Sequence, residues 1–399
     1  MTELRVSVII GAYNAGPYLA AALDSVLAQT EPRWELIVVN DGSTDNTAQV
    51  LTRYAAEPRL HVLTQPNSGL STARNRALAI ARAPWVALLD ADDLWQPAYL
   101  ATLLTALEAG PPAVAAFAGW QYLDAAGLPL PQSVVPQAAG LADNLLWRNP
   151  LVPSGAVIQR AALDHCGGFD PALPGVEDWD MWLRLAPHGP FLVIPQVLVF
   201  YRTHAENLSD RIDRMEASHQ ALLTKHLGPL PADLAAAPPK QRRAQGALYF
   251  NAALGWFRQR QAEAAFARLA AALRAWPAYP DTPEFYFELA CAYQPRGRRG
   301  RPTSAELAAG AELLRRVLLA SDLPPAPEAQ RRAWWSQACL VLAQLAPDQR
   351  TARRYAAEAL RFSAARRRPT ALRAWLRAAL PAPILSWAQR LRRGAAHHL

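Results

Sequence analysis

The sequence predicts an α/β domain built on a mostly parallel central sheet, followed by an all-α domain. Three observations carry that expectation. Short β-rich runs alternate with helix-periodic stretches through the first half of the chain, which is the signature of βαβ units. No β signal returns after about residue 216, where the chain becomes rich in Ala, Leu and Arg. Charge also divides the chain: residues 1–210 carry 11 Arg against 20 Asp and Glu, a net −9, whereas residues 211–399 carry 30 Lys and Arg against 13 Asp and Glu, a net +17. Two bodies with different partners are implied.

In chain order, the strands are expected at Arg5–Ile10, Trp34–Asn40, Leu60–Thr64 and Trp85–Asp90, with helices at Tyr18–Gln29, Thr44–Ala56 and Leu70–Ala81 between them. From Pro111 to Pro153 the pattern loosens into a connecting region with one helix at Leu141–Trp147. A strand at Gly155–Gln159, a helix at Glu177–Ala186 and a strand pair over Phe191–Arg202, broken at Pro195, complete the first body. The domains read as 1–215, an α-helical 216–368 and a basic amphipathic tail at 369–399. Within the helical part, Gly246, Ala253, Ala265 and Ala272 put small residues where two antiparallel helices would touch, as in one tetratricopeptide-like pair, although no clean 34-residue period follows.

Composition narrows the class further. The chain has 399 residues, 51% of them hydrophobic and 19% charged, enough to bury a sizeable core and too apolar for a disordered chain. Three scattered cysteines, Cys166, Cys291 and Cys339, make neither a disulfide framework nor a zinc site and favour a reducing, cytoplasmic setting. Met1–Arg5 runs directly into VSVII without the charged and apolar regions of a signal peptide. The longest apolar run, Phe191–Phe200, is interrupted by Pro195 and falls well short of the ~20 residues a membrane span needs.

In an open α/β sheet, ligands bind beyond the carboxyl ends of the strands, so the residues there are the ones to read chemically. Asp41, in VVNDGST, ends a strand beside Gly42 and can accept hydrogen bonds from a base edge or ribose hydroxyls; it can equally open a turn before a helix capped by Ser43 or Thr44. Asp90, Asp92 and Asp93 close a buried strand. Like charges there repel unless a divalent cation and a polyphosphate neutralise them, and hard oxygen ligands suit Mg²⁺ or Mn²⁺. The competing reading is a capping cluster for the helix after Trp95. Glu177, Asp178 and Asp180 open a helix, where carboxylates complement the helix dipole or present a general base. His204 follows the last strand, within possible reach of the acidic cluster as a metal ligand. Arg74 lies on the first turns of a helix after NSG, where it can face an anion or simply sit on the surface.

Taken together, VSVIIGAYN at 6–14, VVNDGSTDNT at 38–47, NSGLSTARN at 67–75, LLDADD at 88–93, GGFD at 167–170, EDWDMWLRLA at 177–186 and YRTHAENLS at 201–209 resemble the family 2 glycosyltransferases of the GT-A fold. The resemblance covers about the first 210 residues. It implies that Tyr13 stacks near the base, Asp41 binds base or ribose, and Arg74 steadies the diphosphate. It also implies that Asp90 lies by the nucleotide, Asp92 holds the metal, Asp178 is the base, and His204 is a late metal or diphosphate contact. Asp93 and Glu177 are secondary candidates. Gly11 and Asn40 depart from the family's usual Pro and first Asp. The implied activity is metal-dependent, inverting transfer of a sugar from a nucleotide donor, UDP-linked by preference, to a cell-envelope glycan or lipid-linked acceptor.

The alternative is a non-catalytic transferase-like module carrying a helical scaffold for protein partners. The tail, with Leu372, Trp375, Leu376, Trp387 and interleaved arginines, suits either a peripheral site at the inner membrane face or packing on the helical domain. Nucleic acid lacks a recognisable motif.

Overall fold

The structure is a computed structural model that describes residues 3–231, 233–319 and 327–362; the tail expected at 369–399 lies outside the described residues. By internal contacts the chain forms two units, Met1–Pro229 and Leu230–Leu399.

Strand β1 (Val6–Ala12) is flanked by β2 (Trp34–Asp41) on one side and β4 (Trp85–Leu88) on the other, with β3 (Leu60–Gln65) outside β2. These pairings are all parallel. β2 is buried at every position, which accounts for its near-continuous apolar sequence, since parallel strands are covered on both faces. Helices α1 (Gly16–Leu27), α2 (Thr47–Thr52) and α3 (Leu70–Leu78) make the connections. Pro17 at the start of α1 donates no N–H and fits a first turn that needs none. Helix α2 is shorter than the Thr44–Ala56 expected, because Asp45 and Asn46 are spent on the turn that precedes it. Strand order reverses between β1 and β4, which places the crevice at their carboxyl ends.

Beyond β4 come the two-residue β5 (Leu94–Trp95) and α4 (Tyr99–Ala109). The region taken as a connection then contains two strands, β6 (Ala115–Leu123) and β7 (Pro129–Val134), followed by the short α5 (Leu141–Asn144). Ala115, Ala116, Ala118 and Gly119 are poor strand formers, so the local signal is weak, yet β6 is buried between β8 (Ala156–Gln159) and β9 (Phe191–Arg202). Tertiary context makes the strand. β9 is one strand and not a broken pair: Ile194 is opposite Ala118 and Val197 opposite Gly119, so Pro195 and Gln196 bulge out of the ladder. Gly119 is needed there, since a Cβ would lie 2.7 Å from Val134 O and 3.0 Å from Gln196 O.

The finished sheet runs β3-β2-β1-β4-β8-β6-β9-β5, with β7 on β6. Its first four strands are parallel and the rest mixed, since β4–β8, β6–β8 and β5–β9 are antiparallel. One face buries Leu19 and Leu23 of α1 with Leu103 and Leu104 of α4; the other buries Ala73 and Ala77 of α3 with Met181, Trp182 and Leu185 of α7 (Glu177–Leu185), while α6 (Arg160–His165) follows β8. Helix α8 (Ile212–Leu227), in the stretch the sequence assigns to the helical half, belongs to this unit. His219 packs on Trp179 at 4.3 Å between ring centroids, and His226 and Lys225 each reach Asp180 at 2.9 Å.

The second unit contains α9 (Pro239–Arg258), α10 (Ala262–Ala275), α11 (Pro283–Ala290), α12 (Ser304–Leu319), α13 (Glu328–Leu345) and α14 (Gln349–Phe362). Helices α9 and α10 pack as neighbours, as do α13 and α14, around one core that includes Phe257, Leu269, Leu289, Leu314 and Trp335. Gly246 allows the close approach: a Cβ there would sit 2.9 Å from Trp276 Cβ. Among the described residues no helix is long and apolar enough to cross a membrane.

Candidate active site

The loops at the carboxyl ends of β1, β2 and β4 are tied together by side chains. After β1, Tyr13 is about half exposed and Asn14 takes a left-handed φ of 49°, a conformation asparagine tolerates. Asn14 Oδ1 accepts from Thr44 N at 2.8 Å while Asn14 N donates to Ser43 Oγ at 3.0 Å. Asp45 Oδ2 accepts from Gly16 N at 2.9 Å, so its carboxylate serves the start of α1.

Asp41, at the end of β2, is buried and fully engaged in organising its neighbour loop. Its Oδ1 accepts from Gln65 Nε2 at 2.7 Å and Ser68 N at 2.9 Å, and its Oδ2 accepts from Gly69 N at 2.8 Å. Gly42 has φ +71°, and a Cβ there would lie 2.5 Å from Asn67 N, so only glycine lets the two loops meet. The NSG motif is thereby fixed to the DGS motif, and it starts α3.

From α3, Asn75 exchanges two hydrogen bonds of 2.7 Å with the backbone N and O of Phe169, and Ser71 Oγ donates to Asp170 O at 3.1 Å. The GGFD turn is therefore clamped to α3. Arg74 points inward, 2% exposed, and donates from Nη2 to Asp90 Oδ1 at 2.6 Å and from Nη1 to Glu177 Oε1 at 2.8 Å. Neither of its sequence readings, an open anion site or a surface arginine, describes this: it is a buried bridge between the end of β4 and the start of α7. Glu177 is held a second time, accepting from Gly175 N at 2.7 Å.

The three aspartates after β4 have three different settings. Asp90 is drawn in by Arg74. Asp93 accepts from Arg202 N at 2.9 Å on Oδ1 and from Ser154 Oγ at 2.6 Å on Oδ2, so both its oxygens face the protein. Burial, then the neighbouring carboxylates Asp92 and Asp90, raises its carboxyl well above the usual range. Asp92 is half-buried, as Asp90 is, and its Oδ2 lies 2.9 Å from His204 Nε2. Glu206 N faces His204 Nδ1 at 3.3 Å, which leaves Nε2 as the protonated nitrogen and makes it the donor to Asp92. Tyr18 stacks on the His204 ring at 4.8 Å, and the Arg202 guanidinium lies 5.1 Å over the other ring, Tyr18, while Arg202 Nε donates to Asp92 O at 2.9 Å. Among the described residues no group of three or more His, Cys, Asp or Glu is arranged to hold a metal ion. The donor at hand is the partly exposed Asp92 carboxylate, which the His204 Nε2–H orients. That fits a cation which keeps most of its shell for phosphate oxygens and water, as Mg²⁺ does.

Asp178, one residue past Glu177, is buried on the first turn of α7. Its Oδ2 accepts from Asn149 Nδ2 at 2.9 Å. Burial, then the adjacent Glu177, pushes its carboxyl up to about 7, with Arg74 and the hydrogen bonds from Trp179 N–H and Asn149 pulling the other way. A carboxylate with that affinity for protons can exchange one near neutral pH.

Thus Asp90, Arg74, Glu177 and Asp178 form one connected group, and Asp92 with His204 lies beside Asp90 in sequence and strand. Three residues of this site escaped the sequence reading. Asn149 lies in the stretch read as a connection and Ser154 just past its end, where a lone Asn before Pro150 and a Ser before a strand carry no pattern. Arg202 adjoins the motif at 201–209, but its role comes from the pairing of β9 with β5.

The family model for glycosyl transferase family 2 matches residues 7–165. Over 102 residues the chain is 42% identical to YibD, an uncharacterized glycosyltransferase of Escherichia coli strain K12, a match covering 25% of this chain and 30% of that protein, so the chain spans less than a third of that relative's length. It is 34% identical over 188 residues to TuaG of Bacillus subtilis strain 168, a putative teichuronic acid biosynthesis glycosyltransferase, covering 46% of this chain and 73% of TuaG. Among solved structures, the mannosyltransferase PcManGT from Pyrobaculum calidifontis, in complex with GDP-Man and Mn2+, aligns with a TM-score of 0.49 at 22% identity, over 78% of this chain and 86% of the other.

Proposed function

The chain belongs to the family 2 glycosyltransferases, with a GT-A domain followed by a helical one, and from that premise we propose a divalent-metal-dependent, inverting transfer of a sugar from a nucleoside diphosphate to an acceptor hydroxyl of a cell-envelope glycan or lipid-linked precursor. The observation that carries this reading is the Arg74 bridge. One buried guanidinium joins Asp90, on the nucleotide side, to Glu177, which precedes the base on α7. Carboxylates from two sequence-distant motifs and the guanidinium of a third thereby share one place in the fold.

In this reading Tyr13 stacks on the base of a UDP-sugar. Asp41 shapes the base and ribose side through the loop it holds. Asp92, assisted by His204, holds Mg²⁺ or Mn²⁺, which when bound supplies neutralisation of the diphosphate's charge. Arg74 offsets the negative charge next to the diphosphate and orients the Asp90 carboxylate on the nucleotide side, and Asp93 stabilises the loop. Asp178 takes the proton of the acceptor hydroxyl as its oxygen attacks the anomeric carbon. The bond from that carbon to the diphosphate breaks on the opposite face, the nucleoside diphosphate leaves with the electron pair, and the anomeric configuration inverts. The teichuronic acid role printed for TuaG favours an envelope acceptor.

The test is release of nucleoside diphosphate from UDP-glucose, UDP-N-acetylglucosamine and GDP-mannose with MnCl₂. Turnover that needs the metal and drops on the order of 100-fold or more in both Asp92→Ala and Asp178→Asn is expected. Absence of metal-dependent turnover of any donor would overturn the reading. We place the protein at the inner membrane face through its basic, tryptophan-bearing tail. Flotation of the full chain with anionic liposomes should then exceed that of a chain ending at residue 369, and equal flotation would remove this localisation.

A further inference from the structure

We propose that Asn149 is a positioning residue for Asp178: its side-chain amide holds one oxygen of the carboxylate and so sets the orientation in which that carboxylate meets an acceptor hydroxyl. The proposal rests on the reading of Asp178 as the base.

The amide is itself fixed. Asn149 Oδ1 accepts from Leu151 N at 3.2 Å, so the oxygen must face the backbone and Nδ2 must face Asp178 Oδ2, 2.9 Å away. The reverse orientation would set two acceptors against each other and two donors against each other. A free carboxylate turns broadly about its terminal torsion, and a hydrogen bond to one oxygen removes that freedom before substrate arrives. The charged groups facing Asp178 are Glu177 from its own helix and Arg74 from α3. Both act on its charge, and neither is hydrogen-bonded to its oxygens.

Asn149 begins a short brace. Five residues on, Ser154 Oγ accepts from Asp90 N at 3.1 Å and donates to Asp93 Oδ2 at 2.6 Å, and Ser154 O accepts from Trp95 Nε1 at 2.7 Å. One segment, Asn149–Ser154, therefore touches the proposed base at one end and the aspartate cluster at the other. Pro150 and Pro153 stiffen it between. The register between base and donor side is built into this segment.

Substituting the amide by an isosteric carboxylate separates positioning from mere support. Asn149→Asp keeps the shape and the acceptor for Leu151 N but replaces the donor to Asp178 by an acceptor. Asn149→Ala removes both contacts. The full chain, ¹³C-labelled at aspartate carboxyls, is titrated by NMR, with Asp178→Asn identifying the Asp178 resonance and thermal melts confirming that each variant is folded. Since Nδ2–H stabilises the ionised carboxylate, the Asp178 midpoint should rise by about one pH unit in Asn149→Ala and further in Asn149→Asp. The acid limb of the hydrolysis rate of UDP-glucose, UDP-N-acetylglucosamine or GDP-mannose with MnCl₂ should move with it. An unmoved midpoint in the folded variants, with Asp178→Asn inactive, overturns this proposal alone. Full turnover in Asp178→Asn overturns the base reading and this proposal with it.

Discussion

Arg74 donates to Glu177 at 2.8 Å across 103 positions of sequence, with its guanidinium almost wholly buried. The same guanidinium lies 5.3 Å over the Phe169 ring, so the GGFD turn closes over it. Three motifs that look independent along the chain, NSGLSTARN, LLDADD and the acidic start of α7, are therefore one electrostatic unit.

Removing the cation would leave the buried Glu177 and the half-buried Asp90 without it. Arg74→Met should cost about 3–5 kcal/mol of folding free energy, read as a lower urea midpoint at an unchanged slope. Arg74→Lys should fall between wild type and Arg74→Met, because a single ammonium cannot reproduce the two-sided fork. Equal stability of the Lys variant and wild type would show that the bridge needs only a charge.

This also marks how far sequence reading reaches. Strand-end motifs were legible because parallel strands are apolar along their length and polar where they stop, so Asp41 and Asp90 stood out, while Asp178 stood out in the acidic start of a helix. The orientation of Arg74 was not, since burial of an arginine depends on two carboxylates that the chain supplies much later. β6 was illegible for a different reason: its Ala and Gly residues carry little strand signal, and the need for Gly119 beside β7 and the bulge of β9 appears only once those neighbours are in place. Pro195 misled in the opposite direction, because a bulge accommodates it without ending the strand. Asn149 and Ser154 show no pattern because each acts as a single polar side chain in an irregular segment.

Ser154 is the test of that last point. Its hydroxyl is buried between Asp90 N and Asp93 Oδ2, and among the described residues no other donor reaches that oxygen of Asp93. Ser154→Ala should destabilise the fold by about 1–3 kcal/mol in urea titrations, the cost of leaving those buried groups unsatisfied. A loss under about 0.5 kcal/mol would mean that water enters and replaces the hydroxyl.

His219 predicts an acid sensitivity. It is buried against Trp179, its Nε2 has no hydrogen-bond partner among the described residues, and burial holds its imidazole down at about 3. The folded value lies below the unfolded one of 6.5, so the contribution is complete above pH 6.5 and is lost as pH falls from there toward 3. Each pH unit in that window costs about 1.4 kcal/mol through this group. His219→Phe keeps an aromatic ring on Trp179 and removes the titration. Its stability relative to wild type should improve by about 2 kcal/mol between pH 7 and pH 5. Parallel stability curves for the two proteins would refute the assignment.

Asp178 has the opposite sign, and it links stability to function. Its carboxyl is raised from an ordinary 3.8 to about 7 in the folded protein, by burial first and Glu177 second. Folding is therefore favoured most below about pH 4, where both states are protonated, and the contribution is lost as pH rises toward and through 7. At pH 8 the ionised group costs stability on the order of a few kcal/mol, so Asp178→Asn should raise the melting temperature at pH 8 and change it little at pH 4. In turnover the same ionisation works the other way. Only the carboxylate can accept a proton, so kcat/KM for donor hydrolysis should fall toward tenfold per pH unit on the acid side of about 7. A stabilising Asp178→Asn that is also inactive would identify this position as one where the fold is strained by what the reaction needs. A destabilising one would show that Asp178 is a structural carboxylate held by its hydrogen bonds.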